Sequence, residues 1–333
     1  MGTALDLKIR KNNSFFFPVD LDVESKCFLF QITSVEELRR NTFLDNRFFQ
    51  AGSKVHRLEF DQLASERWDI AKKIGFLFHT SFCCSTLLAR LLDFPSHSLV
   101  LKEPLVLRRL SDAELIGKHE LALHQTSLNL LFRSVAEDSA IVVKPAHVAL
   151  NIANSMLSCQ PEAKALLITS TLEDFLVSNI KKSTESKQKV PELVERFMSA
   201  SDFHSRLPLQ AFAPPSFLCG VALQWHAQQQ VTRDLFNGPH GHSIKLVWET
   251  DLLKLPHETL ASCLQWFDWS IPADMIKMQI SEVMKQHAKS TSRTYDPDEK
   301  EYEDNLLMNK YREDINLALK WSEQHLSPHL KNL

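Results

Sequence analysis

Glycine is scarce in this chain, with seven in 333 residues. Neither GxGxxG nor GxxxxGK[ST] can be written anywhere along it. That removes the ordinary dinucleotide and ATP fingerprints, whose glycines let backbone turn tightly against phosphate. No stretch approaches the roughly 18 uncharged apolar residues that a membrane span needs. Neither sign of charge dominates: 38 Lys and Arg face 41 Asp and Glu, so the overall charge points to neither nucleic acid nor an anionic membrane as a partner. Six cysteines (Cys27, Cys83, Cys84, Cys159, Cys219, Cys263) form no CxxC pair and are spread along the chain, as expected for reduced thiols in the cytoplasm. The Phe15-Phe16-Phe17 cluster after Lys8, Arg10 and Lys11 is cut by Pro18, too brief for a signal-peptide core. Met1-Gly2 is followed by Asp6 where a myristoylation signal wants Ser or Thr. These readings predict a soluble, cytoplasmic protein.

What the chain does have is 44% hydrophobic residues, enough to bury one large core. Residues 1–72 mix short apolar runs (Cys27 to Phe30) with helical pattern near Val35 to Arg40 and read as a structural segment. From residue 73 the pattern alternates. Ile74 to His79 reads as a buried strand and Ser85 to Leu92 as a helix. Ser98 to Leu101 is a second strand, ending at Lys102-Glu103-Pro104, with a helical stretch through Leu130. Ala140 to Val143 and Leu166 to Ile168 are further strands, and Leu172 to Lys182 has helical spacing. A helix over Val221 to Phe236 precedes a strand over Ile244 to Trp248.

Such alternation argues for an α/β fold with a central parallel sheet and helices on both faces, a P-loop-like three-layer arrangement in one domain, residues 1–333. Residues 73–270 form its core. Residues 181–215 break the rhythm and read as an inserted helical lid or as a plain surface loop. Residues 285–333 hold a basic segment and a final helix, roughly Asp304 to His325, with Leu307, Tyr311, Ile315 and Leu319 on one face.

Chemistry concentrates at His79-Thr80-Ser81-Phe82-Cys83-Cys84-Ser85-Thr86-Leu87, a polar turn between a buried strand and a helix. Free N–H groups and the positive dipole end there would hold an anion, with the Ser85 and Thr86 hydroxyls beside them. The same residues also read as an ordinary N-cap.

Cys83-Cys84-Ser85-Thr86-Leu87-Leu88 resembles the loop that opens the sulfotransferases, a strand followed by Ser-Gly-Thr-Thr and a Leu-rich helix. Ser170-Thr171-Leu172-Glu173-Asp174-Phe175-Leu176-Val177-Ser178 is similar to their second signature, Arg then Asp then Ser, which binds the donor's 3′-phosphate. Asp174 and Ser178 match, and Ser170 stands where the family has Arg. Leu246-Val247-Trp248-Glu249-Thr250-Asp251-Leu252-Leu253 resembles the family's late strand and helix. The three matches keep the family's order over roughly residues 73–270 and suit a divergent, bacterial-type member.

The resemblance implies transfer of a sulfonate group from 3′-phosphoadenosine 5′-phosphosulfate to a hydroxyl or amine acceptor, small molecule, glycan or peptide, without a metal. It also implies that Ser81, Cys83, Cys84, Ser85, Thr86 and Leu87, with Asp174 and Ser178, hold the donor. Lys289 and Arg293, in a late basic segment, and Lys144, at the end of the third strand, are substitutes for missing cations. Glu103 is the leading base and His79 the second. Three family positions differ: Phe82 replaces the loop's usual Lys or Arg, Cys84 replaces glycine, and Ser170 cannot supply the charged fork of Arg.

Two rival readings stay open. One is a member of the same fold that binds a nucleotide or protein without catalysis. The other is a magnesium-dependent phosphotransferase, against which the missing Lys after Gly counts. Cys83-Cys84 as a reactive thiol pair lacks a paired base, His240-Gly241-His242 as metal ligands lacks nearby acidic or Cys partners, and Ser81 and Ser85 lie outside GxSxG.

Overall fold

The computed structural model describes residues 14–48, 54–134, 140–285 and 297–332. Lys8, Arg10, Lys11, Lys289 and Arg293 lie outside them.

Among the described residues, eight strands form two sheets. β1 (Ser14–Asp22), β2 (Cys27–Ser34) and β3 (His56–Glu59) make an antiparallel sheet in the order β1-β2-β3. β4 (Ile74–His79), β5 (Ser98–Lys102), β6 (Ala140–Lys144), β7 (Lys164–Thr169) and β8 (Ile244–Trp248) make a five-stranded sheet in the order β5-β6-β4-β7-β8, parallel at every pairing. β5 and β6 are buried along their whole length, which is why they read as continuous apolar runs rather than as alternation.

Alternate residues of these strands feed two apolar layers. Phe76, Phe78, Leu101, Val143 and Leu167 belong to one core cluster. Leu77, Val100, Val142, Ile168 and Val247 belong to the other, with Leu88 and Leu91 of the helix Ser85–Leu91 and Leu260 of Pro256–Trp266. Phe76 stacks on Phe78 at 5.3 Å and meets Phe132 edge-on at 5.2 Å. Full burial of each such ring is worth about 2–3 kcal/mol. Gly75 lets Phe267 lie against the strand: a Cβ there would sit 2.6 Å from its Cε1.

The expected α/β fold is therefore observed, with two differences of detail. The stretch from Leu105 to Leu131 is two helices, Leu105–Leu115 and Leu121–Leu131, because Gly117 turns the chain at φ +74°. The final helix is also two, Pro297–Lys310 and Arg312–His325, meeting at Tyr311. Residues 181–215 carry the helices Thr184–Gln188, Val190–Ser199 and Phe203–Arg206. Phe197 and Phe203 are fully buried, in the same core cluster as Val221 of the long helix Phe217–Phe236. Among the described residues, no helix is long and apolar enough to cross a membrane.

Candidate functional site

The carboxyl ends of β4, β5 and β6 bring His79, Glu103 and Lys144 together, and the residues that follow carry the chemistry. β4 runs on into the turn 80–84, because the Thr80 N–H donates to the Ile168 carbonyl at 3.1 Å and its hydroxyl meets that of Thr169 at 3.0 Å. Phe82 and Cys84 then adopt φ +54° and +57°, the left-handed region that costs a side-chain-bearing residue about 1–2 kcal/mol. Cys84 thus has the backbone conformation a glycine would take there, and it caps the helix Ser85–Leu91. Ser85, Thr86 and Leu87 are buried in its first turn.

The turn is braced from the helix Phe217–Phe236. Gln228 accepts the Ser81 N–H at 2.8 Å and donates to its hydroxyl at 3.1 Å, and Gln229 donates to the Thr169 hydroxyl at 2.7 Å. The Cys83 thiol is buried, donates to the Thr80 carbonyl at 3.0 Å, and is pushed up to about 12, first by burial and then by the Glu249 charge. It is no nucleophile at neutral pH. The Cys84 thiol donates to Glu249 Oε1 at 2.9 Å, and all six cysteines are free thiols.

At the end of β5 the chain sends Lys102 and Glu103 to different partners. Lys102 donates to the Arg39 carbonyl at 2.7 Å and lies 3.8 Å from Asp93. Glu103, at φ +57°, turns to Lys144, whose ammonium donates to its Oε1 at 2.6 Å. Burial alone would raise the Glu103 carboxyl, but Lys144, with help from His147 and Arg47, holds it below its ordinary value. The N-terminal segment reaches this edge too: the Leu44 N–H donates to the Lys102 carbonyl at 2.7 Å, and Leu105 returns the bond at 3.0 Å.

His79 is buried, with Nδ1 2.9 Å from the Thr80 carbonyl, Nε2 3.0 Å from the Pro145 carbonyl and Glu103 Oε1 at 4.0 Å. Burial, then Lys144 and His147, push its pKa well below 6.5, while the two backbone carbonyls raise it in part. His147 lies at 6.1 Å, ring to ring, with its own Nε2 buried and unpartnered.

The segment resembling the 3′-phosphate signature starts the helix Leu172–Ile180. Thr171 is its N-cap, accepting the Asp174 N–H at 3.1 Å and donating to the Asp174 carboxylate at 2.6 Å. Asp174 is exposed and Ser178 half-buried one turn on. Ser170 is fully buried, its hydroxyl unpartnered and its carbonyl accepting from Trp225. Just beyond this helix, Lys182 places its ammonium 4.4 Å from the centroid of the Phe82 ring. Positive charge therefore stands beside the residue that lacks it, supplied from 100 residues further along the chain.

Reading the sequence missed Lys182, Gln228, Gln229 and His147, and named Glu249 only as part of the late strand and helix. Of these, the Gln228-Gln229-Gln230 run, three consecutive amides in a helix that begins apolar, signals itself there.

No protein-family model and no curated protein matches the chain. Solved structures do. It is similar to the sulfotransferase domain from the curacin biosynthetic pathway at 12% identity and TM-score 0.42, over 77% of this chain and 98% of that one. It is similar to the sulfotransferase from Alicyclobacillus acidocaldarius at 15% identity and TM-score 0.37, over 78% and 99%. It is also similar to mouse sulfotransferase SULT7A1 complexed with PAP at 10% identity and TM-score 0.36, over 83% and 98%.

Proposed function

We propose that the chain transfers a sulfonate group from 3′-phosphoadenosine 5′-phosphosulfate to a hydroxyl or amine acceptor. The observation that carries this reading is the convergence, on one sheet edge, of the glycine-like turn at Cys84 and the Lys144–Glu103 pair. Ligands of open parallel sheets bind at that edge. The turn and the buried Ser85 and Thr86 would cradle the sulfonate and 5′-phosphate oxygens. Asp174 and Ser178 would face the far phosphate, and Lys144 and Lys182 would offset the charge.

In the reaction, the acceptor's oxygen or nitrogen forms a bond to sulfur as the bond from sulfur to the 5′-phosphate oxygen breaks. The acceptor's proton passes to a base, and the desulfonated nucleotide leaves with the bonding pair. Glu103 suits the base better than His79. Both His79 nitrogens face backbone carbonyls, whereas the Glu103 carboxylate is ionised and keeps 17% of its side-chain surface open.

The test is calorimetric titration with 3′-phosphoadenosine 5′-phosphate, with and without magnesium, on the wild type and Ser178→Ala. Magnesium-independent binding, weakened by the substitution, supports the donor site. No binding at all sinks the reading. Binding with no turnover on any acceptor favours a non-catalytic nucleotide binder, and a magnesium requirement favours the phosphotransferase.

A further inference from the structure

Away from this edge, the geometry points to a site for a divalent transition-metal ion, zinc first, held by Glu114, His119 and His124. The three residues bracket the turn at Gly117. Glu114 is in the last turn of Leu105–Leu115, His119 is in the connection, and His124 is in the first turns of Leu121–Leu131. One ligand atom from each lies within 4.8 Å of the others. His119 Nδ1 is 2.5 Å from Glu114 Oε2, and the two imidazole rings are 5.0 Å apart.

A tetrahedral zinc ion with bonds of about 2.0–2.1 Å spaces its ligand atoms by roughly 3.3 Å, so small side-chain rotations close the site. Two imidazoles and one carboxylate are a borderline donor set that zinc accepts, with water in the fourth position. An independent observation points the same way. His124 is only 2% exposed, and its Nδ1 is buried with no hydrogen-bond partner. An imidazole nitrogen taken out of water without a partner costs stability, and a metal would satisfy it. His119 and Glu114 keep 41% and 31% of their side-chain surface, so an ion can enter from solvent. His119 also lines a cavity of about 400 Å³ beside Lys118 and Glu120.

The ion would bridge two helices rather than serve the candidate donor site. It ties together two helices at the end of Leu105–Leu115 remote from Glu103, an 11-residue span of about 16 Å.

The test uses the full chain, stripped with a chelator and titrated calorimetrically with zinc chloride. Thermal melting, and the absorption spectrum with cobalt in place of zinc, provide second readouts. The wild type should take up one ion per chain with a rise in Tm. His119→Gln and Glu114→Gln, both at accessible positions, should fold and lose about 100-fold in affinity. Titration with 3′-phosphoadenosine 5′-phosphate should give the same result for the stripped and loaded protein. No uptake by the wild type overturns the site. Equal uptake by wild type, His119→Gln and Glu114→Gln overturns it as well, because the ion is then held elsewhere, for instance at His240 and His242.

Discussion

The Lys144 ammonium donates to Glu103 Oε1 at 2.6 Å while the Glu103 N–H donates back to the Lys144 carbonyl at 2.6 Å. Side chain and backbone thus clamp the ends of β5 and β6 together. Lys144 is 1% exposed. A charge so deeply buried is tolerable only because its partner is also ionised. Glu103 is therefore both the candidate base and the counter-ion that keeps Lys144 folded in.

Lys144→Ala should destabilise the protein by about 3 kcal/mol, the low end for breaking a buried pair, since Glu103 retains some contact with water. Chemical denaturation measures this, and Lys144→Ala/Glu103→Ala should recover part of the loss. The pH dependence has a definite sign. Because the Glu103 carboxyl is held below 4.5, the pair contributes stability above that pH and loses it as pH falls through the lowered folded value. Without Lys144, burial dominates, Glu103 takes its proton at higher pH, and the acid limb of any activity profile should move upward.

His226 gives a second pH dependence. Its ring is 1% exposed, with Nδ1 2.9 Å from the Ala222 carbonyl and Nε2 3.2 Å from the Ser327 hydroxyl, and burial lowers its pKa to about 4. Below pH 6.5 the unfolded chain binds a proton that the folded chain refuses. Stability should fall by about 1.4 kcal/mol per pH unit from this residue alone, down to about pH 4. Urea midpoints across that range should show the slope, and His226→Gln should reduce it by one proton.

The sheet was legible because β5, β6 and β7 are short apolar runs bounded by polar residues, a pattern that burial on both faces imposes, while the edge strand β8, half-buried and carrying Lys245, was marked by Leu246-Val247-Trp248. The turn at Ser81–Ser85 was legible for the same local reason. The break at Gly117 was marked only by one glycine, and the break at Tyr311 by nothing in the sequence. The Lys182–Phe82 and Gln228–Ser81 contacts join residues about 100 and 147 positions apart. Tertiary packing creates those pairs, and no spacing rule in a single sequence reaches that far.

Charge at the turn is mixed, which fixes two further expectations. Lys182 lies over Phe82, while Glu249 accepts from Cys84 and acts on Cys83. If the turn holds the donor's anionic groups, Lys182→Met should weaken 3′-phosphoadenosine 5′-phosphate binding, and Glu249→Gln should strengthen it. Each change should be about five- to tenfold, or roughly 1 kcal/mol. Calorimetry on both variants decides. Shifts of the same sign would mean that neither acts through its charge.

Cys84→Gly separates backbone from side chain at the same place. Glycine adopts φ +57° without penalty, so about 1 kcal/mol of strain should be released in the folded state. Against that stand the added freedom of glycine when unfolded and the lost thiol bond to Glu249, each worth about 1 kcal/mol or less. The net change in stability should be within about 1 kcal/mol of zero, measured by urea unfolding. If the turn holds the donor, nucleotide binding should instead improve, because removing Cβ and sulfur would let phosphate oxygens reach the backbone N–H groups at the start of Ser85–Leu91. If Cys84→Gly binds 3′-phosphoadenosine 5′-phosphate more weakly than the wild type, the thiol itself is a ligand contact and the turn is not a glycine-type cradle.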